Sequence, residues 1–258
     1  MGKVWLVGSG PGAPDLLTVR AVRLLERADI VFFDALVHPE TLALAKGARL
    51  VDVGKRFGKH STEQRFINRS IVEAAKSHAT VVRLKGGDPM LFGRAQEEIE
   101  ALEAAGVEFE VVPGITAALA ASASLGVSLT RRGVARTVAF LTPRVGAGED
   151  ESPWVPAALG ADTVALYMAA GAAQAIARRL IDGGKPAATP AVLVESASLE
   201  AESRVFTTLA ALAREALPRA AGPVVMLVGE VFAERAAVDQ VDHEYLLRQV
   251  AAERCRTG

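Results

Sequence analysis

Short β-branched runs alternate with stretches of helical periodicity through the first half of the chain. That alternation restricts the fold to α/β with a mostly parallel, doubly wound sheet. Val4 to Val7 reads as a strand, and Leu17, Ala21, Leu24, Leu25 and Ala28 then share one helical face. Further strands are predicted at Ile30 to Phe33, Leu50 to Val53, Thr80 to Leu84 and Glu108 to Val112. Ser61-Thr62-Glu63-Gln64 has capping-box spacing ahead of Phe66, Ile67, Ile71 and Ala74, and a helix over Ala95 to Ala105 meets its stop at Gly106.

Pro113-Gly114 breaks this pattern and divides the chain into an N-terminal α/β domain, 1–112, and a C-terminal α/β domain, 113–258. The second part opens with an alanine-rich helix, Ile115 to Leu125, and is richer in strand. Strands are predicted at Thr137 to Leu141, Thr163 to Tyr167, Ala191 to Val194, Arg204 to Thr208 and Val224 to Val228. The close spacing of the last three implies antiparallel pairing, hence a mixed sheet. Arg144 to Pro156 reads as a polar surface loop.

Half of the 258 residues are apolar, enough for a sizeable core, and the net charge of −1 gives the whole molecule no pull toward nucleic acid or an anionic membrane. No apolar run approaches the roughly 18 residues of a membrane span. The N-terminus runs straight into a strand without the layout of a signal peptide. A single cysteine, Cys255, leaves no internal disulfide, so a cytoplasmic location is expected. No group of His, Cys, Asp and Glu has metal-ligand spacing, and no metal is expected.

In an open parallel sheet, ligands collect at the carboxyl ends of the strands, and three strand ends here are unusual. Gly8-Ser9-Gly10-Pro11-Gly12 follows the first strand. Its spacing is not Gly-x-Gly-x-x-Gly, and Pro11 removes a donor, so it suits a nucleoside or amino-acid moiety better than a pyrophosphate. A tight strand-to-helix turn would use the same glycines. Arg83-Leu84-Lys85-Gly86-Gly87-Asp88-Pro89 ends the fourth strand. Its two glycines can present backbone groups, and Asp88 can accept hydrogen bonds from a ribose or simply cap a turn. Asp34 ends the second strand, as a general base or as a cap. Two basic clusters, Lys55, Arg56, Lys59 and His60, and Arg131, Arg132 and Arg136, suit carboxylates or phosphates, or form solvated faces. Met168 follows Val164-Ala165-Leu166-Tyr167 as a core residue or a cofactor contact.

These segments, with Val111-Val112-Pro113-Gly114-Ile115-Thr116-Ala117, Ser128-Leu129-Thr130-Arg131 and Tyr167-Met168, resemble the tetrapyrrole methylase superfamily from residue 3 to about 235. Within it, Arg83 to Pro89 favours the branch that methylates carbons of uroporphyrinogen III. The resemblance implies a two-domain tetrapyrrole methylase fold with the active-site cleft between the domains, a homodimer, and S-adenosyl-L-methionine as methyl donor, leaving S-adenosyl-L-homocysteine. It implies a cofactor site at Pro11, Gly86, Gly87, Asp88, Leu91, Thr116, Ala117, Met168 and Ala197. It makes Asp34 the proton acceptor and Lys55 the proton donor. Arg56, His60, Arg131 and Arg132 are then the residues for the substrate's carboxylates. The reaction implied is methylation at C2 and C7 to precorrin-2, on the way to sirohaem or cobalamin, with no nucleic-acid or membrane partner.

The chain departs from the family pattern at Ala13, Phe33, Ala95-Gln96, Thr142-Pro143-Arg144 and Ser196-Ala197-Ser198. Three other readings compete. One is methylation of a later precorrin or corrin on the same fold. Another is an NAD-dependent oxidoreductase, whose glycine spacing is not met. The last is a non-catalytic ligand sensor, against which the presence of both Asp34 and Lys55 argues.

Overall fold

A computed structural model describes residues 1–54, 64–145, 153–169, 171–215 and 220–237. The described chain forms two compact units. One is Met1–Ala120 with Ala197–Glu200; the other is Ala121–Ser196 with the described residues from Ala201 on. No helix among the described residues is long and apolar enough to cross a membrane.

The first unit is built on five parallel strands, β1 (Lys3–Gly8), β2 (Ile30–Phe33), β3 (Arg49–Asp52), β4 (Thr80–Lys85) and β5 (Phe109–Val112). Four helices connect them: α1 (Val19–Glu26), α2 (Pro39–Leu42), α3 (Gln64–Ala74) and α4 (Ala95–Ala104). The strand order is β3-β2-β4-β1-β5.

Period-two alternation sends successive strand residues to opposite faces. Val7, Val31, Val82 and Leu84 pack with Ala21, Leu24 and Leu25 of α1, and Leu42 of α2 packs against that cluster. On the other face, Val4, Leu6, Ile30, Phe32 and Val81 pack with Ile67 and Ile71 of α3 and Ile99 and Leu102 of α4. The split follows from connectivity. The chain leaves β1 toward the β2 side and leaves β4 toward β5, and right-handed crossovers running in opposite directions put their helices on opposite faces. β1 and β4 are neighbours, so the topological switch point opens between their carboxyl ends. The register is level there: Gly8 lies beside Lys85, Val7 beside Leu84 and Val112, and Phe33 beside Leu84.

In the second unit the strands are β6 (Val138–Leu141), β7 (Thr163–Leu166), β8 (Pro190–Glu195), β9 (Ser203–Thr208) and β10 (Val224–Val228), in the order β6-β7-β10-β8-β9. β6 and β7 are parallel, and every other pair is antiparallel, as the close spacing of the last three strands predicts. α5 (Ala117–Leu125) spans the chain position where the units divide. α6 (Trp154–Leu159), α7 (Ala173–Asp182) and α8 (Leu209–Arg214) complete the elements, and Trp154, Ile176, Leu180, Leu209 and Leu212 join Val164, Leu166, Leu193 and Met226 in one core.

Several boundaries shift for local reasons. α1 begins at Val19, not Leu17, because the Thr18 hydroxyl accepts from the Ala21 amide at 3.1 Å and caps the helix. The polar stretch expected to run to Pro156 ends earlier. Trp154 is 4% exposed and starts α6, with the Arg179 guanidinium 5.1 Å from its ring centroid. The helix is apolar throughout, Trp154-Val155-Pro156-Ala157-Ala158-Leu159, and buries Trp154 and Ala158. The helices α6, α7 and α8 are not among the elements predicted from sequence, although α7 buries Ala173, Ile176, Ala177 and Leu180 at helical spacing. The capping-box residues Ser61, Thr62 and Glu63 lie outside the described residues, and α3 begins at Gln64.

Leu25 is fully buried under the sheet face that carries Val7 and Leu84. Leu25→Ala should lower the unfolding free energy by about 2–5 kcal/mol, read from the shift of the urea midpoint at unchanged m-value.

Candidate active site

Four backbone segments meet at the carboxyl rim of the first unit's sheet. The Ser9 amide donates to the Lys85 carbonyl at 2.8 Å. Gly10 and Gly87 then exchange hydrogen bonds, with Gly87 N–H to Gly10 O at 2.7 Å and Gly10 N–H to Gly87 O at 3.2 Å. Both have positive φ, +72° and +67°, which admits this antiparallel bridge between two loops that leave parallel strands. Gly8 and Gly114 bring a third loop against the pair. A Cβ on Gly8 would lie 2.7 Å from both Gly114 Cα and the Gly87 oxygen, and one on Gly114 would overlap that same oxygen. Thr116 follows, its Cα 3.8 Å from where a Gly87 side chain would begin.

Two carboxylates lock the arrangement. Asp88 Oδ2 accepts from the Gly114 amide at 2.9 Å and Oδ1 from the Met90 amide at 2.8 Å, tying the β4 loop to the β5 loop. Capping, set against ribose binding in the sequence, therefore describes what both Asp88 oxygens do. Asp34 Oδ1 accepts from the Leu36 amide at 3.1 Å, and Oδ2 accepts from the Gly86 amide at 3.4 Å. Its side chain stays 26% exposed, so the carboxylate is held without being sealed in. Gly86 packs against Leu36, whose Cβ lies 2.8 Å from the position a Cβ would take.

Residues 197–200 return to this unit and pack on the first glycine loop. Ser198 Oγ accepts from the Ala13 amide at 3.1 Å, and Leu199 covers Gly12. Ala197, 5% exposed, lies between Ser196 and Ser198, both left-handed, at φ +52° and +74°. Among the described residues, the other non-glycine residues with positive φ are Phe92, Arg94 and Met168. Each costs about 1–3 kcal/mol, and such strain gathers at functional sites. All five sit in or beside segments singled out from sequence.

Thus Pro11, Gly86, Gly87, Asp88 and Thr116 come together on one rim, Leu91 donates its amide to the Asp88 carbonyl, Ala117 opens α5, and Ala197 belongs to the same unit. Met168 belongs to the second unit, where it is 42% exposed and its sulfur lies 3.9 Å from Arg144 Nη1. Arg131 and Arg132 lie in a tight turn in which Arg131 and Ala135 exchange backbone hydrogen bonds, and Arg131 pairs with Glu234 at 2.8 Å. Lys55, Arg56 and His60 lie outside the described residues.

Sequence reasoning missed a buried charge cluster beneath the rim. Arg83 and Lys85 face α4 from alternate positions of β4. Arg83 Nε reaches Glu98 Oε1 at 3.0 Å, and Lys85 Nζ reaches Glu98 Oε2 at 2.9 Å. The Glu98 side chain has no exposed surface. Burial, and then the neighbouring Arg83 charge, push the Lys85 ammonium below its ordinary range, while Glu98 pulls it back up. The available signal was Glu98 on the apolar face of α4, in line with Ala95, Ile99 and Leu102.

The rim suits one class of ligand. Its amides are largely spent on neighbouring loops, and the segments 8–12, 86–88 and 113–117 contain no Lys or Arg. An anionic pyrophosphate would find little there, and nothing supports a dinucleotide-dependent oxidoreductase. Two carboxylates and close-packed glycines fit a neutral or cationic nucleoside. Among the described residues no group of three His, Cys, Asp or Glu is arranged to hold a metal ion.

Fold and rim together define an α/β protein with a glycine-built rim at the carboxyl ends of parallel strands, the place where such sheets take their ligands. Comparison with known proteins narrows this: residues 3–213 match the family model for tetrapyrrole (corrin/porphyrin) methylases, and the chain belongs to that family. It is 40% identical over 234 residues to the uroporphyrinogen-III C-methyltransferase of Bacillus subtilis (strain 168), covering 90% of this chain and 91% of that protein. It is 43% identical over 233 residues to the siroheme synthase of Azotobacter vinelandii (strain DJ / ATCC BAA-1303), and there it spans 50% of the relative's length. Its fold matches a crystal structure of uroporphyrin-III C-methyl transferase from Thermus thermophilus complexed with S-adenyl homocysteine. That match has a TM-score of 0.79 at 40% identity and covers 90% of this chain and 99% of the other.

Gly114→Ala must displace the Gly87 carbonyl and should cost about 1–3 kcal/mol. Gly47→Ala, with open space around it, should change stability by less than about 0.5 kcal/mol. Denaturant unfolding of both variants checks the contrast.

Proposed function

We propose that this chain transfers methyl groups from S-adenosyl-L-methionine to carbons of uroporphyrinogen III, at C2 and C7, giving precorrin-2. The observation that carries this is the glycine rim held by Asp34 and Asp88, whose segments 8–12, 86–88 and 113–117 contain no Lys or Arg, in a member of the tetrapyrrole methylase family. The relatives that bear the uroporphyrinogen name, and the solved relative with S-adenyl homocysteine, support the same reading. The assembly belonging to it is a cytoplasmic homodimer.

When bound, S-adenosyl-L-methionine supplies an activated methyl on a sulfonium. The protein's work is then alignment, exclusion of water and proton handling. Pro11, Gly86, Gly87, Asp88, Leu91, Thr116, Ala117, Met168 and Ala197 are the residues we assign to hold it. Gly87 leaves room for it, since a Cβ there would meet nothing nearer than Thr116 Cα. Methylation of an electron-rich pyrrole carbon leaves a positively charged ring, which loses a proton to restore neutrality. Asp34, anchored through both oxygens and still part-exposed, is the assigned acceptor. Lys55 is the assigned donor. Arg56, His60, Arg131 and Arg132 are assigned to the substrate's carboxylates.

Incubation with labelled S-adenosyl-L-methionine and uroporphyrinogen III should yield a red-shifted, doubly labelled tetrapyrrole; no transfer of label removes this reading. Asp34→Ala should lower kcat by about 100-fold or more. Its dissociation constant for S-adenosyl-L-methionine should stay within about threefold, by titration calorimetry, a change of under 1 kcal/mol. Equal losses in both would make Asp34 structural. Gly87→Val should abolish binding in equilibrium dialysis, since Gly87 has φ +67° and faces Thr116.

A further inference from the structure

We propose that Glu98 is a positioning residue that keeps the buried cations of β4 off Asp34, leaving that carboxylate free to act on substrate. The proposal rests on the assignment of Asp34 as proton acceptor.

Arg83 and Lys85 lie two residues apart on one face of β4, their side chains 5% and 4% exposed. Two buried cations this close repel each other and need a carboxylate. Glu98 serves both, with one oxygen on each. Gln64 Nε2 donates to Glu98 Oε1 at 3.2 Å and to Asn68 Oδ1 at 2.9 Å, and Asn68 Nδ2 donates to the Glu97 carbonyl, so α3 holds the carboxylate from its other side.

The geometry around Arg83 sets the consequence. Its Nη1 donates to the Leu84 carbonyl at 2.9 Å and stands 3.9 Å from Asp34 Oδ2. That is too long for a direct hydrogen bond. Asp34 is therefore near a cation but not captured by it, and its oxygens stay on the Leu36 and Gly86 amides. If Glu98 loses its charge, the carboxylate already beside Arg83 is Asp34. A shift of about 1 Å would convert the loose contact into a charge-assisted bond and pull Asp34 down from the rim. The glycine bridge between Gly10 and Gly87 does not involve Glu98, so cofactor affinity should be spared.

The test measures kcat, the KM for uroporphyrinogen III and the dissociation constant for S-adenosyl-L-methionine in folded protein of full length. Glu98→Gln should lower kcat about tenfold or more with cofactor affinity within about twofold, and Glu98→Asp should recover part of the loss. In an Asp34→Asn background, followed by slow single-turnover transfer of label, Glu98→Gln should cost less than about twofold more, since there is no carboxylate left to capture. If Glu98→Gln does not fold, Arg83→Lys replaces it. That change keeps the charge and the partner but removes the nitrogen beside Asp34. It should leave kcat within about twofold, because the role assigned to Glu98 is to withhold that nitrogen. The proposal is overturned if Glu98→Gln keeps kcat within about twofold of the parent, if it weakens cofactor binding as much as turnover, if its cost is the same in the Asp34→Asn background, or if Arg83→Lys loses turnover tenfold. Should Asp34→Asn itself retain turnover, the assignment of the base fails instead.

Discussion

The close approach of three backbone segments at Gly8 and Gly10, Gly87, and Gly114 is the constraint on which the candidate site depends. These residues pack main chain to main chain, and side chains at Gly8 or Gly114 would push the loops apart. The reciprocal hydrogen bonds of Gly10 and Gly87 and the reach of Asp88 to Gly114 then fix the three loops as one body. Backbone groups that could otherwise bind an anion are consumed in doing so. The rim is consequently a shaped wall with carboxylates in it, suited to a cationic nucleoside and poorly suited to phosphate.

Topology explains why these loops meet. The strands that depart in opposite directions, β1 and β4, are adjacent, so no helix covers the gap between their carboxyl ends. Level register puts Gly8 beside Lys85 and ends β2 and β5 at the same height. Asp34, Gly86 and Gly114 thereby arrive within hydrogen-bond reach although they are far apart in the chain. The strained serines around Ala197 bring a distant segment onto the first loop in the same unit.

Beneath the rim, β4 carries charge, with Arg83 between Leu6 and Phe32 of the neighbouring strands and Lys85 beside Gly8. Arg83 and Lys85 occupy the face on which Val4, Leu6 and Val81 are packed, and Glu98 balances them from α4. Replacing such a cluster with apolar residues of equal volume often leaves stability unchanged or raises it, so stability alone is a weak reason for its presence. It reaches the rim through Arg83, whose Nη1 stands 3.9 Å from Asp34 Oδ2.

Much of this was legible in the amino-acid order. The β-branched runs at Ile30 to Phe33 and Val224 to Val228 matched the observed strands residue for residue, because a strand buried on both faces leaves a short continuous apolar run in the sequence. The glycine and Asp-Pro segments announced special loops, and the motifs around them pointed to the family. Other features were missed or had no local trace. Helix α6 is a short apolar run that buries Trp154 and Ala158, and α1 begins two residues late because of a hydroxyl cap. The role of Asp88 depended on an amide 26 residues away, and the partners of Arg83 and Lys85 on a glutamate in the next helix. Sequence by itself determined which residues can line the strand ends, since conformational freedom and charge are properties of single side chains. Only the tertiary structure decided which of those groups remain available to a ligand, because hydrogen bonds and ion pairs are claimed by whatever the fold brings within about 3 Å.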